Sequence, residues 1–169
     1  MLYLIWPVGI MSVQPMQNHN TLTGLEYMQA VVAKKIPMPP MAETIPMQCI
    51  AAEAGMVTFS ARADDRHLNR ANNVHGGFTA TVMDSVTSCA LRTALEAGAG
   101  FVTIELNVKM LRPVPSHVDL RAEGKLINVS RRLGTAEARL FDDKGKLCAH
   151  STATFVVSRP TSEGVAQGD

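Results

Sequence analysis

The alternation of apolar and polar residues divides the chain into two helices and six strands. Apolar residues at helical spacing predict an amphipathic helix within residues 21–35, which ends on two lysines. Three prolines within residues 37–40 exclude a helix there and favour an extended connector. Two runs rich in apolar and β-branched residues between positions 46 and 62 flank Glu53-Ala54-Gly55, which predicts a hairpin.

A longer apolar segment and four alternating segments follow. Residues 78–95 contain neither proline nor glycine and are apolar on nearly every side, which predicts one long buried helix. The next segment alternates, so we expect one face to carry Val102, Ile104, Leu106, Val108 and Met110, and the other Thr103, Glu105, Asn107 and Lys109. Further strands are predicted within 118–129, 133–141 and 147–157, the last two joined by a turn at 142–145.

The order of these elements indicates the fold class. Two strands, one long helix and four strands in hairpin succession imply a mainly antiparallel sheet, and only the long helix can cover its apolar face. We therefore expect an α+β protein with a single domain over residues 21–157. Residues 1–20 and 158–169 are expected to be tails, the first of them flexible, and Met11 is as good a start as Met1.

The composition and net charge indicate the class of protein and exclude some classes of binding partner. With 169 residues, 46% apolar and 18% charged, the chain is typical of one globular domain rather than of a disordered or collagen-like protein. A net charge of +1 gives no global attraction to nucleic acid or an anionic membrane, so neither is an expected partner. Cys49, Cys89 and Cys148 are widely spaced in apolar or small-residue surroundings, which predicts reduced core thiols in a cytoplasmic protein. Residues 1–10 are apolar but too few to span a bilayer.

One ionisable side chain, Asp84, lies in the otherwise apolar helical segment between Gly76 and Leu91. Burying a carboxylate without a partner costs several kcal/mol, so the residue is either a functional group facing a cleft or part of a polar stripe facing water. That stripe would include Thr81 and Ser88. The residues alone favour the two interpretations equally.

His75-Gly76-Gly77 precedes the long helix. The first N–H groups of a helix, at the positive end of its dipole, can polarise a carbonyl or bind an anion, and glycine lets a substrate approach closely. The alternatives are a simple turn at the two glycines and a structural His75, since no other histidine lies at metal-ligand spacing.

Distance constrains how these groups could act together. Asp84 follows Gly76 by eight residues, which along one helix is about 12 Å at 1.5 Å per residue. A carbonyl bound at Gly76 is therefore out of reach of Asp84 on the same helix. If both groups act on one carbonyl, two helices must pack antiparallel about a two-fold axis and share the site between subunits.

Basic residues are concentrated in the later strands. Between positions 109 and 132 there are only two acidic residues but six basic ones: Lys109, Arg112, Arg121, Lys125, Arg131 and Arg132. This local excess favours a phosphate-bearing ligand, with solvated strand edges as the alternative. Few aromatic residues accompany these charges, which counts against a nucleic-acid surface.

Four segments taken together resemble a known family. They are the run from Asn69 to Gly77, which reads Asn-Arg-Ala-Asn-Asn-Val-His-Gly-Gly, then Ala80 to Asp84, Thr103 to Asn107, and Leu111-Arg112-Pro113. They are similar to the hotdog-fold acyl-CoA thioesterases of the phenylacetate-pathway (PaaI-like) type, and the resemblance covers roughly residues 21–157. The family often has glycine where Asn72 stands, but asparagine tolerates a left-handed backbone nearly as well. The resemblance implies an antiparallel sheet of five to six strands wrapped around one long central helix.

The resemblance also implies roles for individual residues. Asp84 would be the catalytic carboxylate, acting as nucleophile or as general base on water. The Gly76 N–H would form the oxyanion hole with Asn69 beside it, and Thr103 would orient the water. The implied substrate-binding residues are His75, Gly77, Arg112 and Arg131, the two arginines for the phosphates of coenzyme A, while Phe78, Met83 and Val86 would line the acyl pocket.

The implied activity is hydrolysis of an acyl-CoA thioester without a metal or redox cofactor, coenzyme A being part of the substrate. The family builds the site across a homodimer and often forms a homotetramer. A non-catalytic acyl-CoA-binding or regulatory module is the first alternative, although a pure binder needs no carboxylate beside the carbonyl. A hydratase or dehydratase is the second alternative, but this chain lacks the His and acid pair expected of such enzymes.

Overall fold

The computed structural model describes residues 21–160. Three α-helices and six strands make up this part of the chain: α1 Gly24–Val32, α2 Met41–Thr44, β1 Met47–Glu53, β2 Met56–Ala61, α3 Gly76–Arg92, β3 Gly100–Met110, β4 Leu120–Val129, β5 Leu133–Phe141 and β6 Leu147–Ser158. The predicted tails at 1–20 and 158–169 lie largely outside the described residues, so the domain limits stay predictions. No helix in the described range is both long and apolar enough to cross a membrane.

Local sequence signals account for the first elements. Thr23 and Glu26 cap α1 reciprocally, so the predicted first helix is confirmed over a shorter range. The prolines precede the four-residue α2 rather than interrupt a helix. The predicted β1–β2 hairpin is confirmed, and its turn depends on Gly55, whose φ of +76° lies in the left-handed region that favours glycine.

The sheet is antiparallel with strand order β1-β2-β4-β5-β6-β3. The predicted hairpin succession of the last four strands is therefore wrong at its first step, because β3 pairs with β6 and β4 pairs with β2. The segment 111–119 between β3 and β4 is long and contains two prolines, so it does not form a tight turn. It crosses instead to the β2 edge of the β1–β2 hairpin, where β4 pairs. As a result β3 is an edge strand.

The predicted single apolar face of β3 is only partly correct. A β-bulge between Thr103 and Glu105 shifts the alternation by one residue. Leu106 and Val108 pack against the core as expected, but Val102 and Ile104 are 67% and 58% exposed. The bulge turns Thr103 towards α3 instead, which the period-two pattern alone did not predict.

Helix α3 lies in the concave face of the sheet. Its buried side chains include Val82, Met83, Val86 and Leu91. Two glycines let it approach: a Cβ at Gly124 would lie 2.7 Å from the Val86 carbonyl oxygen, and one at Gly134 would overlap the Leu91 side chain. The expected hotdog architecture, a sheet wrapped around one central helix, is confirmed with six strands.

Candidate active site

His75 caps the start of α3 and determines which backbone donors stay open. Its Nδ1 accepts the Gly77 N–H at 2.8 Å, and its carbonyl accepts the Phe78 N–H at 3.0 Å. The Gly76 N–H, between them, has no acceptor among residues 21–160. The first turn therefore offers one donor, Gly76, at the positive end of the helix dipole.

Asn69 closes the loop that leads into this helix. Its Oδ1 accepts the N–H groups of Ala71 at 2.9 Å and Asn73 at 3.2 Å. Asn72 adopts φ +58°, the left-handed conformation that asparagine tolerates. Since the Asn69 oxygen is already occupied, its side-chain NH₂ is the group that can donate towards a ligand beside Gly76.

His67 also positions the start of α3, although sequence reasoning missed it. It is buried, its ring lies edge-on to Phe78 with centroids 5.0 Å apart, and its carbonyl accepts the His75 N–H at 2.8 Å. Its Nδ1 accepts the Asp64 N–H at 3.0 Å, and its Nε2 lies 2.9 Å from the carbonyl oxygen of Thr44, to which it donates. Only tertiary structure identifies this role, since a histidine in a polar loop has no distinguishing local pattern.

Asp84 lies in the middle of α3, on its less buried side. The Thr103 hydroxyl donates to Asp84 Oδ1 at 3.0 Å, and both residues are half-buried. The half-buried residues on this side of the helix are Ala80, Thr81, Asp84, Ser85, Ser88, Cys89 and Arg92. The predicted polar stripe thus exists, but the Asp84 carboxylate faces the edge strand β3 rather than water alone.

A cleft of about 260 Å³ lies between the start of α3 and the β3–β4 loop. Gly76, Thr79 and Arg112 line it, and the Met110 side chain lies over Gly76, with Met110 Cε 2.8 Å from where a Cβ at Gly76 would be. Arg112 is exposed, and its Nη1 donates to the Leu147 carbonyl at 2.6 Å. An arginine therefore lies beside the same cleft as the Gly76 backbone.

The other proposed phosphate ligand lies elsewhere in the chain. Arg131 is exposed in the β4–β5 turn, where its carbonyl accepts the Arg159 Nε–H at 3.2 Å, and Gly134 just beyond contacts Leu91 near the end of α3. One chain therefore does not bring Arg112 and Arg131 together. Likewise Gly76 and Asp84 belong to one continuous helix, with the separation of about 12 Å that the sequence implied.

The side chains expected to line an acyl pocket have a different role. Phe78 is 3% exposed, and Met83 and Val86 have no exposed surface, because they pack against the inner face of the sheet. They are core residues, so that expectation is wrong for the single chain. The side of α3 that remains accessible carries Asp84.

The thiols are unsuited to nucleophilic catalysis. Burial raises the pKa of Cys49 to about 11 and that of Cys89 to about 12, and it also raises the pKa of Cys148. All three are unpaired cysteines, and they are protonated at neutral pH. Within residues 21–160 no three ligating side chains are grouped to hold a metal ion.

Comparison with known proteins gives a consistent result. A family model described as Thioesterase superfamily matches residues 71–149. The proofreading thioesterase EntH of Klebsiella pneumoniae is 30% identical over 96 residues, which cover 57% of this chain and 69% of that protein. Human acyl-coenzyme A thioesterase 13 is 26% identical over 106 residues, 62% of this chain and 75% of that protein.

Solved structures agree. A phenylacetic acid degradation-related protein of Ralstonia eutropha JMP134 superposes with a TM-score of 0.71 at 31% identity, covering 77% of this chain and 98% of that one. The PaaI protein of E. coli also gives a TM-score of 0.71, covering 81% of this chain and 97% of that one. At 15% identity, the latter likeness concerns the fold alone.

Proposed function

The chain belongs to the thioesterase superfamily and is a thioester hydrolase, and from that premise we propose that it hydrolyses an acyl-CoA at a site shared by two subunits. Gly76 of one subunit binds the thioester carbonyl, and Asp84 of the other acts on it. The observation that carries this proposal is the open Gly76 N–H on the same helix as Asp84 but about 12 Å from it.

The free edge of the sheet supports a dimer. Strand β3 pairs with β6 on one side, and its other side has no neighbouring strand among residues 21–160. An edge with unpaired backbone groups and exposed apolar side chains, here Val102 and Ile104, favours pairing with a second copy. Antiparallel pairing of two β3 edges about a two-fold axis would lay the two α3 helices antiparallel, with the start of each beside the middle of the other.

The chemistry follows from the positions of the donors. The Gly76 N–H and the helix dipole stabilise the oxyanion that forms when the carbonyl carbon is attacked. Asp84 either attacks directly, forming an anhydride that water then hydrolyses, or removes a proton from the attacking water. Thr103 donates to one carboxylate oxygen and leaves the other for the reaction. Collapse of the tetrahedral intermediate breaks the carbon–sulfur bond, and the thiolate of coenzyme A leaves and is protonated.

Coenzyme A suits the surroundings of Gly76. Arg112 lines the cleft that contains Gly76, where it can meet nucleotide phosphates. Because the two α3 helices run antiparallel in the proposed dimer, Arg131 of one subunit approaches the helix start of the other. A homotetramer, a cytoplasmic location and independence of metal or redox cofactors complete the proposal.

Release of free thiol from short, long and aromatic acyl-CoAs tests the function. The assay compares the wild type with Asp84→Asn and with Asp143→Asn, a control in the exposed β5–β6 turn. We expect Asp84→Asn to abolish turnover while folding and dimerising normally, and the control to match the wild type. Full activity of Asp84→Asn would remove the carboxylate from the mechanism. A folded dimer that binds acyl-CoA without hydrolysis over hours would instead favour the binding module.

A further inference from the structure

Arg92 is a half-buried cation on the Asp84 side of α3. It follows Asp84 by eight residues, so the two side chains leave the helix about 80° apart around its axis, both on the half-buried side. Its guanidinium carbon lies 4.7 Å from the centroid of the Tyr27 ring and 5.1 Å from that of Phe101. Phe101 is in turn fixed by an edge-on contact with Phe155, at 5.7 Å between centroids. The guanidinium is therefore flanked by two aromatic rings.

Within the part of the chain that the structure describes, the charge of this arginine has no acidic partner. Glu96, one turn further along the chain, would be its usual partner, but it pairs with Arg159 instead. Among residues 21–160 no carboxylate lies within salt-bridge distance of Arg92, and no acceptor receives its side-chain N–H groups. Since the rings interact with the cation rather than with its N–H donors, those donors remain available to an anion.

Arg92 and Asp84 both contact strand β3. Thr103 contacts Asp84, and Phe101, two residues earlier on β3, contacts Arg92. Two residues along a strand span about 7 Å. The long Arg92 side chain leans towards the start of its helix, hence towards Asp84, which reconciles this spacing with the longer separation of the two Cα atoms. A cation thus lies on the same half-buried side of α3 as the proposed reacting carboxylate, and both groups contact β3.

We infer that Arg92 binds a carboxylate at the far end of the acyl group, so that the preferred substrates are thioesters of short dicarboxylic acids. This inference rests on the proposed function, because it takes the thioester carbonyl to lie at Asp84. The guanidinium forms two parallel hydrogen bonds with the terminal carboxylate, and the Tyr27 and Phe101 rings bracket the guanidinium. The spacing of about 7 Å along β3 suits an acyl chain of a few carbons.

Matched pairs of substrates test the inference. Succinyl-, glutaryl- and adipyl-CoA are compared with butyryl-, pentanoyl- and hexanoyl-CoA, which have the same chain lengths without the carboxylate. We expect the wild type to show the higher kcat/KM on the dicarboxylic member of at least one pair. In Arg92→Met that preference falls about ten- to a hundredfold, the range for losing a charged hydrogen bond, while kcat/KM for the neutral member changes little. Arg92→Lys keeps the positive charge but cannot form two parallel hydrogen bonds with a carboxylate, so it gives an intermediate loss of the preference.

Controls separate a specific role from a structural one. Arg139→Met removes an exposed arginine from β5 and leaves both members of each pair unchanged. An equal loss on charged and neutral substrates in Arg92→Met, or a wild-type preference for the neutral members, would overturn the inference. If no thioester is hydrolysed at all, the proposed function fails. Calorimetric binding of adipyl-CoA to the wild type and Arg92→Met then decides the role of Arg92 separately, and equal affinity rejects it.

Discussion

Replacing Gly76 by proline removes the proposed oxyanion donor with little other change. Proline is favoured at the first position of a helix, where its missing N–H has no helical partner. His75 has φ −65° and ψ 139°, a conformation that a residue before proline adopts readily. The added atoms meet Met110 Cε and Sδ, 2.8 Å and 3.0 Å from the Cβ position, and these are the flexible end of a side chain.

Gly76→Ala is the matched control, because it meets the same Met110 atoms but keeps its N–H. Loss of one oxyanion-hole donor lowers kcat about 10²- to 10³-fold, so we expect that difference between the proline and alanine variants. The assay is thiol release at saturating acyl-CoA, with thermal melts to verify that both variants fold. A difference in kcat of less than about threefold is smaller than the loss of a hydrogen bond to a charged group would cause. If Gly76→Pro folds and its kcat is within that range of the Gly76→Ala value, the N–H plays no part in the reaction.

Three further predictions follow from the same geometry. Mixing Asp84→Asn with Gly76→Pro subunits under exchange should restore about a quarter of wild-type activity, because half of the dimers are mixed and each has one intact site; no recovery after verified exchange would mean that the site lies within one subunit. Gly124→Ala should lower stability by about 1–3 kcal/mol, seen as a lower Tm, since its Cβ would lie 2.7 Å from the Val86 carbonyl oxygen; an unchanged Tm would contradict this close packing. Because burial raises the pKa of Cys89 to about 12, iodoacetamide at pH 8 should label this thiol far more slowly in the folded protein than in guanidinium, and equal rates would show it to be accessible.

Periodicity alone predicted most of the secondary structure. The long helix, the β1–β2 hairpin and the β5–β6 hairpin are where alternation, proline and glycine predicted them, because these signals act between residues close in the chain. The separation of Gly76 and Asp84 was equally determined, since it depends only on the rise of a helix. The shared-site hypothesis therefore needed the sequence alone.

Tertiary structure decided which strands pair and which side chains meet. Nothing local predicts that β3 pairs with β6, or that a bulge beside Ile104 turns Thr103 towards Asp84. The two rings that flank Arg92 come from helix α1 and from the edge strand β3, which are far apart in the sequence. Such contacts depend on which long-range arrangement of the strands best covers the apolar face of the helix. Local propensities describe residues close in the chain, so they do not predict which arrangement is the most stable.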